Sequence, residues 1–355
     1  MSLREIISAS DALKFRKALL AWFVKHRRPM PWREKVSAYR TVVSELMCQQ
    51  TQIATVIPYF NRWVKTWPDF KDLARSKESD VLAAWAGLGY YNRARNLRAC
   101  AIEISQLKVL PTTATEWQKF KGIGPYTAAA IASIAYDEPV AVVDGNVVRV
   151  LARVAGVKKV FSDGSTAVKH FTPLANYLVD ARRPGDFNQA MMELGAMVCR
   201  KAKPSCSICP VSQWCRAKKE NLTESLPRFA PKKRQQAIVH RALIFDQDKL
   251  LLRRNPSDVK RLAGMAEIPE TDFLNNDFKS QKSWVRRRTI GSITYEENIN
   301  LITLNSSIRL KVKKQTDLEW VALKHLKKAA VTGPHFRWIE EWINLSDRPE
   351  RGKVL

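Results

Sequence analysis

The sequence of 355 residues carries 60 Lys and Arg against 34 Asp and Glu, a formal net charge of +26. This length suits two domains with sizeable cores, and so large a positive excess favours a polyanionic partner such as nucleic acid over a merely basic protein. Because no apolar run approaches the roughly 20 residues of a membrane span and the N-terminus lacks a signal-peptide core, we expect a cytoplasmic protein without membrane partners, with its six cysteines present as thiols or ligands.

The first elements are a helix and a proline-rich loop. Apolar periodicity predicts an amphipathic helix over residues 11–26, and the two prolines of residues 27–33 predict an extended loop without helix. Trp32, between Arg28 and Arg33, suits a base pocket in which the ring stacks and the guanidinium groups bind polar edges or phosphate. The alternative is an ordinary loop with a buried Trp.

Residues 39–59 are helical by period and carry a single carboxylate. Glu45 is the only acidic residue between Glu34 and Asp69, and apolar residues surround it. Partial burial would raise its pKa and let it hold a proton near neutral pH, whereas a surface Glu on a helix is the plainer interpretation. Gln49 and Gln50 are uncharged and suited to wedging into a base stack.

Residues 80–107 are predicted to form two helices around the turn Gly87-Leu88-Gly89-Tyr90-Tyr91. The glycines and aromatic residues suit a loop that probes DNA, with Leu88 or Tyr90 intercalating. The second helix carries three arginines that we expect to hold phosphate: Arg93, Arg95 and Arg98.

A glycine-rich turn and a lone carboxylate follow. Lys121-Gly122-Ile123-Gly124-Pro125-Tyr126 predicts a tight turn whose N–H groups, at the start of the next helix, suit a phosphate oxygen. Asp144 stands in an otherwise apolar run, which indicates a chemical role. Glu193 lies on a predicted helix over residues 188–195.

Four cysteines follow in the pattern C-x6-C-x2-C-x5-C: Cys199, Cys206, Cys209 and Cys215. Four clustered thiols generically indicate zinc. A redox role is the competing interpretation, but no electron-donor or substrate motif accompanies them.

Beyond residues 226–236, a basic and proline-interrupted linker, the hydrophobic period changes from 3.6 to 2. We predict strands over residues 238–245, 250–254, 285–304 and 308–312, and a final helix over residues 335–345. Residues 237–355 are therefore expected to form an α+β domain with a mostly antiparallel or mixed sheet.

These motifs together resemble the MutY family of adenine DNA glycosylases, within the helix-hairpin-helix superfamily. The resemblance spans nearly 200 residues, and its ordered segments are Pro31-Trp32-Arg33, residues 44–51, 87–91 and 122–127, Val143-Asp144-Gly145-Asn146, residues 192–195 and the four cysteines. It implies a mainly α region over residues 1–225, with a six-helix barrel and a lobe in which residues 199–215 bind a [4Fe–4S] cluster. Residues 237–355 resemble the family's Nudix-like domain, without the Glu-rich helix of its hydrolases.

The resemblance also implies a reaction. Glu45 would protonate adenine, Asp144 would stabilise or capture the oxocarbenium-like sugar, Asn146 would orient Asp144, and Tyr126 would lie against the sugar. Because Tyr126 replaces the lysine of relatives that cut the strand, we expect a monofunctional glycosylase. The adenine pocket is expected to comprise Arg28, Trp32, Arg33, Cys48 and Glu193, and the DNA contacts Gln49, Gln50, Leu88, Tyr90, Lys121, Gly122 and Gly124.

One departure concerns recognition of the opposite base. The family's Phe-Ser-His tip aligns with residues 289–294, and no histidine occurs between His240 and His325. Ser292 could still donate a hydrogen bond, so discrimination of 8-oxoguanine from guanine is expected to be weaker or built differently.

Three functions remain open. The leading one is a bacterial, nucleoid-associated and monomeric enzyme that excises adenine opposite 8-oxoguanine or guanine in double-stranded DNA. A related glycosylase that removes thymine or another base opposite guanine normally lacks the C-terminal domain. A non-catalytic DNA-binding protein on the same scaffold would be expected to lack Glu45 or Asp144.

Overall fold

The computed structural model describes residues 6–231, 235–256, 262, 264–275, 278–291 and 293–346. The chain divides into two compact units, residues 1–230 and 231–355. The first is helical and the second combines helices with sheets, so the predicted fold class of an α region followed by an α+β domain is confirmed. None of the helices in the described residues combines the length and apolar character that a membrane crossing requires.

The first unit is built of helices with short connections. Side-chain caps start several of them: Ser8 Oγ accepts from the N–H of Asp11, and Ser37 Oγ from that of Arg40. In chain order the helices are α1 Ala9–His26, α2 Pro31–Glu34, α3 Ala38–Cys48, α4 Ile53–Thr66, α5 Phe70–Arg75, α6 Glu78–Trp85, α7 Asn92–Ser105, α8 Ala114–Trp117, α9 Pro125–Ala135, α10 Gly145–Ala155, α11 Gly164–Leu178, α12 Pro184–Met197 and α13 Arg216–Lys219.

The two largest hydrophobic cores among the described residues of this unit lie side by side along the chain's helices. One gathers residues of α3 to α9 around Trp63, Trp85 and Trp117, and the other gathers residues of α1 and α10 to α12 around Phe15 and Phe171. Helix α9, which follows the glycine turn, packs against α3 of the first core and against α12 of the second. Side chains at this junction therefore come from both cores.

Two predictions for the N-terminal region are wrong. Residues 31–34 form a helical turn, because Pro31 occupies its first position, where a missing N–H costs no hydrogen bond. The helix predicted over residues 39–59 is two helices, α3 and α4, separated at Gln49–Gln52, where Gln50 has a left-handed φ of 55°.

The boundary between the two units, after residue 230, falls within the predicted linker of residues 226–236. Leu226 is buried, and its carbonyl accepts a hydrogen bond of 3.1 Å from Nε of Arg153 in α10. Strand β2 (Arg228–Phe229) pairs in parallel with β1 (Val160–Phe161). Residues 226–230 thus pack with the helical unit, whose boundary lies at residue 230.

The described residues of the second unit form two sheets. In one, β8 (Ile293–Ile302) lies between β3 (Gln235–Leu243), to which it is parallel, and β7 (Ser280–Ile290), to which it is antiparallel. In the other, β5 (Lys249–Arg254) pairs antiparallel with β4 (Phe245–Asp246), β6 (Ala266–Glu267) and β9 (Leu318–Ala322). The sheet character is mixed, as predicted. The helices of this unit are α14 Ser306–Lys313 and α15 Gly333–Ser346.

The strand predicted over residues 308–312 is wrong, because these residues belong to α14. Asn305 caps this helix by accepting a hydrogen bond of 2.8 Å from the N–H of Ile308. Ile308 and Val312 are buried at helical spacing, a pattern of apolar residues that a short segment shares with a strand.

A buried ion cluster lies within the second unit. Arg241 Nε donates to Glu297 at 2.7 Å, and Arg288 Nη1 donates to Glu267 at 2.7 Å. Glu297 is fully buried, which by itself raises the pKa of its carboxyl, but hydrogen bonding from His335 and the charges of Arg241 and Arg288 lower that pKa to about 2. The Glu297 side chain therefore stays ionised in this buried position because both arginines lie beside it.

Arg241→Met is expected to destabilise the second unit by about 3–5 kcal/mol, because Glu297 then keeps a buried charge with one of its partners removed. The free energy of unfolding from urea titrations of the full chain measures this. Arg287→Met is the matched control, since the Arg287–Glu296 pair is exposed and is worth less than about 1 kcal/mol. Equal effects of the two substitutions would contradict the assignment of the buried charge.

Candidate active site

Glu45 lies on α3 at the junction of the two cores. Its helix buries Val42, Val43 and Leu46 in the first core and leaves Glu45 partly buried. Burial, with a smaller contribution from the charge of Asp144, raises the pKa of Glu45 to about 7, although hydrogen bonding with Tyr126 works against the rise. Glu45 can therefore carry a proton near neutral pH and release it to a bound group.

Asp144 ends the apolar run Ala141–Val143 and caps helix α10. Its Oδ1 accepts a hydrogen bond of 2.7 Å from the N–H of Val147, and its Oδ2 accepts one of 2.8 Å from Nδ2 of Asn146. A carboxylate at a helix N-terminus also meets the positive end of the helix dipole. These contacts suit an ionised side chain and fix its orientation.

Tyr126 connects the two acids. It lies in the first turn of α9, and its hydroxyl oxygen lies 3.3 Å from the sulfur of Met192 on α12. Burial, then the charges of Glu45 and Asp144, raise the pKa of Tyr126 well above its usual value, so the hydroxyl stays protonated. The structure thus brings Glu45, Tyr126 and Asp144 into one group.

Glu193 on α12 is buried beneath two arginines. Nε of Arg28 donates to its Oε2 at 2.8 Å, and Nη2 of Arg33 donates to its Oε1 at 3.0 Å. Arg33 also donates to Gln189 Oε1 at 2.6 Å, and its own exposure is small. The ion pairs hold residues 28–33 against α12. The positive charge of Arg33 also acts on Glu45, where it opposes the rise in the pKa of that carboxyl.

Trp32 and Cys48 complete the predicted pocket residues. Trp32 is partly buried, with its ring edge-on to Phe60 at a centroid distance of 5.2 Å. Burial, then the charge of Glu45, raise the pKa of the Cys48 thiol to about 12, so this cysteine stays a neutral packing group beside the acid.

Of the residues predicted to probe DNA, some are exposed and others are not. Gln50 is exposed, and Tyr90 has 62% of its surface accessible, whereas Leu88 is only 5% accessible. Leu88 packs in the first core, so Tyr90 is the exposed side chain of this turn. Arg93 is also buried, and its predicted phosphate contact is wrong because its guanidinium binds main-chain carbonyls.

The glycine turn has the geometry predicted from its sequence. Gly122 has a φ of +82°, and a Cβ there would lie 2.5 Å from Cβ of Asn96 on α7, so only glycine fits. Gly124 caps α9, with Pro125 at the first helical position. Lys121, Gly122 and Gly124 are exposed, which leaves this helix start accessible to an anion.

The four cysteines line one pocket. In the described part of the chain, no three His, Cys, Asp or Glu side chains approach closely enough to share one metal ion. Nη1 of Arg153, which is buried on α10, donates to Cys199 Sγ at 3.2 Å and to the carbonyl of Arg200 at 2.7 Å. The pocket therefore has a sulfur lining and an arginine at its edge.

Two arginines on α10 contact the site but are not among the residues predicted from the sequence. Besides Arg153, Arg149 donates to Oδ1 of Asn146 at 2.8 Å and to the carbonyls of Gly195 and Cys199. Two arginines four residues apart on an otherwise apolar helix were the available signal, because such side chains are buried only when they bind partners.

The hairpin that aligns with the family's recognition tip joins β7 to β8. Ser292 lies outside the described residues, so its predicted contact is untested. Gly291, which precedes it, has a φ of +62°. The hydroxyls of Thr289 on β7 and Thr294 on β8 lie 3.2 Å apart across the hairpin.

Comparison with known proteins places this site in a family. Residues 43–170 match the HhH-GPD superfamily of base excision DNA repair proteins. Adenine DNA glycosylase of Buchnera aphidicola from Acyrthosiphon pisum is 32% identical over 81% of both chains. Adenine DNA glycosylase of Arabidopsis thaliana is 43% identical over 65% of this chain and 41% of its own.

The chain spans about two-fifths of the length of the plant and mammalian relatives that it matches. Among solved structures, a thermostable thymine-DNA glycosylase superposes with a TM-score of 0.52 and 25% identity. The superposition covers 59% of this chain and 97% of that one.

Proposed function

The chain belongs to the adenine DNA glycosylase family, and on that premise we propose that it hydrolyses the N-glycosidic bond of adenine mispaired with 8-oxoguanine or guanine in double-stranded DNA. The observation that carries the proposal is the group of Glu45, Tyr126 and Asp144, in which one acid holds a proton near neutral pH and the other is bound as a carboxylate. Two carboxyl groups with opposite protonation are what cleavage of a glycosidic bond requires.

The reaction follows from these positions. The target nucleotide leaves the helix, and Glu45 gives its proton to N7 of adenine as the bond between C1′ and N9 breaks. The electron pair of that bond stays on the base, and the positive charge on the sugar is stabilised or captured by the Asp144 carboxylate. Water then supplies the hydroxyl at C1′, and its proton returns to Glu45. Asn146 keeps Asp144 aligned.

Recognition would use the remaining site residues. Arg28, Trp32, Arg33, Cys48 and Glu193 lie on the segments around Glu45 and would line the adenine pocket. Lys121, Gly122 and Gly124 would bind a phosphate, while Gln49, Gln50 and Tyr90 would fill the space left by the extruded base; Leu88 would support them from within the core. We propose that the enzyme acts as a monomer on bacterial nucleoid DNA.

A glycosylase assay tests the function. Single-turnover reactions with duplexes containing A:8-oxoG, A:G, T:G and undamaged pairs should release adenine from the first two only. Release of thymine from T:G would favour the second candidate function, which the structural likeness to a thymine-DNA glycosylase supports. Adenine that stays in every duplex would contradict the proposal. Comparing A:8-oxoG with A:G also measures how the second unit discriminates without the family's histidine, and Ser292→Ala tests the residue proposed there.

We further propose that Cys199, Cys206, Cys209 and Cys215 bind a [4Fe–4S] cluster. The four thiols line one pocket, and among the described residues no three of them form a group that could hold a single ion. A four-iron cluster binds each thiolate through a different iron and suits wider spacing. When bound, the cluster would hold the loop that presents Arg200, Lys201 and Lys203 to DNA.

Anaerobically purified protein is expected to contain about four iron and four sulfide per chain. Cys199→Ser should lower the iron content, whereas Cys100→Ser, which changes a buried thiol of the first core, should leave it unchanged. Stoichiometric zinc in place of iron would overturn the assignment.

Tyr126→Lys is expected to convert the enzyme to one that forms an imine with the abasic sugar. The amine would arise beside Glu45 and Asp144, where it can attack C1′, and tyrosine has no such group. Borohydride trapping of a covalent protein–DNA complex measures this. Tyr136→Lys, at the other end of α9, is the control and should give no complex. No trapping with Tyr126→Lys would contradict the position assigned to residue 126.

A further inference from the structure

Arg93, at the start of α7, is buried, with 8% of its surface accessible. It lies between the turn that follows α3, residues 49–52, and the turn that precedes α7, residues 87–91. Its guanidinium reaches two segments that are distant in sequence. Toward the end of α3, Nη1 donates to the carbonyls of Leu46 (2.8 Å), Met47 (3.2 Å) and Gln49. Toward the turn of residues 87–91, Nη2 donates to the carbonyls of Leu88 (2.9 Å) and Gly89 (3.1 Å).

Two of these carbonyls directly precede residues with unusual backbone conformations. Gln50, after Gln49, has a φ of 55°, and Tyr90, after Gly89, has a φ of 49°. For residues other than glycine a left-handed conformation costs roughly 1–2 kcal/mol, and it persists where surrounding contacts hold it in place. Arg93 supplies such a contact at both positions.

The same guanidinium fixes the end of the helix that carries Glu45. The carbonyls of Leu46 and Met47 belong to the last turn of α3, where carbonyl groups lack partners within the helix and a positive charge is favourable. The Arg93 guanidinium also lies 5.4 Å from the ring centroids of Trp85 and Tyr90. One side chain thus joins the acid's helix to both exposed turn residues.

We propose that Arg93 is a positioning residue that holds Gln50 and Tyr90 as two halves of one wedge, in a fixed position relative to Glu45. The inference rests on the proposed function and deepens it. The wedge would insert into the base stack at the mispair and keep it open while the extruded adenine occupies the site. A planar fork with five donors is needed to bind carbonyls on two sides, which the single ammonium group of lysine cannot reproduce.

Arg93→Met is expected to lower the single-turnover rate of adenine release from an A:8-oxoG duplex by roughly 100-fold, the effect of a small displacement of reacting groups. Arg93→Lys should restore little of this rate. The fluorescence of 2-aminopurine placed beside the target adenine should show a matching loss of base extrusion. Arg16→Met is the control: Arg16, partly buried on α1, also binds two main-chain carbonyls, those of Tyr177 and Leu178, and its loss should leave the rate within about twofold.

A double-mutant cycle separates positioning from general support of the fold. If Arg93 acts through the wedge, Arg93→Met should cost less than about threefold in a protein that already carries Gln50→Ala and Tyr90→Ala. Effects that multiply in full would overturn the proposal, as would a rate for Arg93→Met equal to that of Arg16→Met.

If Arg93→Met does not fold, Arg93→Lys replaces it in the same cycle, with thermal unfolding as the check on folding. The two hypotheses fail in different ways. A wild-type protein that releases no adenine would refute the proposed function. An active wild-type protein with a full multiplicative effect of the Arg93 substitution would refute the role of Arg93 alone.

Discussion

Asp144→Asn is expected to slow adenine release by roughly a thousandfold or more, about 4 kcal/mol of lost transition-state stabilisation. The substitution removes the negative charge that, in the proposed mechanism, faces the developing positive charge on the sugar. It keeps the shape of the side chain and an oxygen that can accept from the N–H of Val147, and asparagine caps helices as well as aspartate does. Because Nδ2 of Asn146 loses its acceptor, the melting temperature should fall slightly, whereas the main loss should appear in the single-turnover rate.

Asp163→Asn provides the matched control, because Asp163 caps α11 by the same type of bond, at an exposed position away from the junction of the cores. Its rate should equal that of the wild-type protein. An Asp144→Asn variant that retains the wild-type rate would show that the carboxylate takes no part in bond cleavage.

Glu45→Gln is expected to lower the rate at pH 6 by roughly 100-fold to 10,000-fold, because glutamine has no proton to donate to the base. In the proposed mechanism the active form of Glu45 is protonated. Since its pKa is raised to about 7, the rate should be constant below that pH and fall tenfold per pH unit above it. This decline should be absent from the variant, and Glu103→Gln, at an exposed position on α7, should leave it unchanged.

The same substitution should make the protein more stable at alkaline pH. A folded-state pKa above the ordinary value of 4.5 means that the folded protein binds more protons between pH 4.5 and about 7, so stability falls as pH rises through that window. Above pH 7 the charged Glu45 costs up to about 3 kcal/mol, which Glu45→Gln would recover. Urea titrations at pH 5 and pH 8 measure the difference, and a variant without added stability at pH 8 would contradict the raised pKa.

The sequence was most informative where local chemistry alone determines the structure. Three features that depend on neighbouring residues follow from the sequence. They are the glycine turn, the polar residue at Asp144 that ends an apolar run, and the change of hydrophobic period after residue 236. The break after Cys48 was missed because a tertiary contact from Arg93 stabilises Gln50 in its conformation. Residues 308–312 were assigned to a strand because a short apolar alternation fits both periods.

The candidate site was predicted in part, for a related reason. Motifs identified Glu45, Tyr126 and Asp144, but burial of their surroundings had to come from the structure. Leu88 and Arg93 were predicted to contact DNA from the surface, but both side chains are buried. A sequence gives the types of residues on a loop, whereas the direction of each side chain depends on the packing beneath it.

The contacts of helix α7 restrict where the family's sequences can gain or lose residues. Through Asn96, which lies against Gly122, it contacts the glycine turn of residues 121–126. Through Arg93 it contacts the turns of residues 49–52 and 87–91. These attachment points are three residues apart, about 4.5 Å along the helix axis. Inserting one residue between them would rotate one attachment by about 100° relative to the other, so the length of this short segment should be invariant in active enzymes. Insertions should instead accumulate in the exposed connection of residues 106–110.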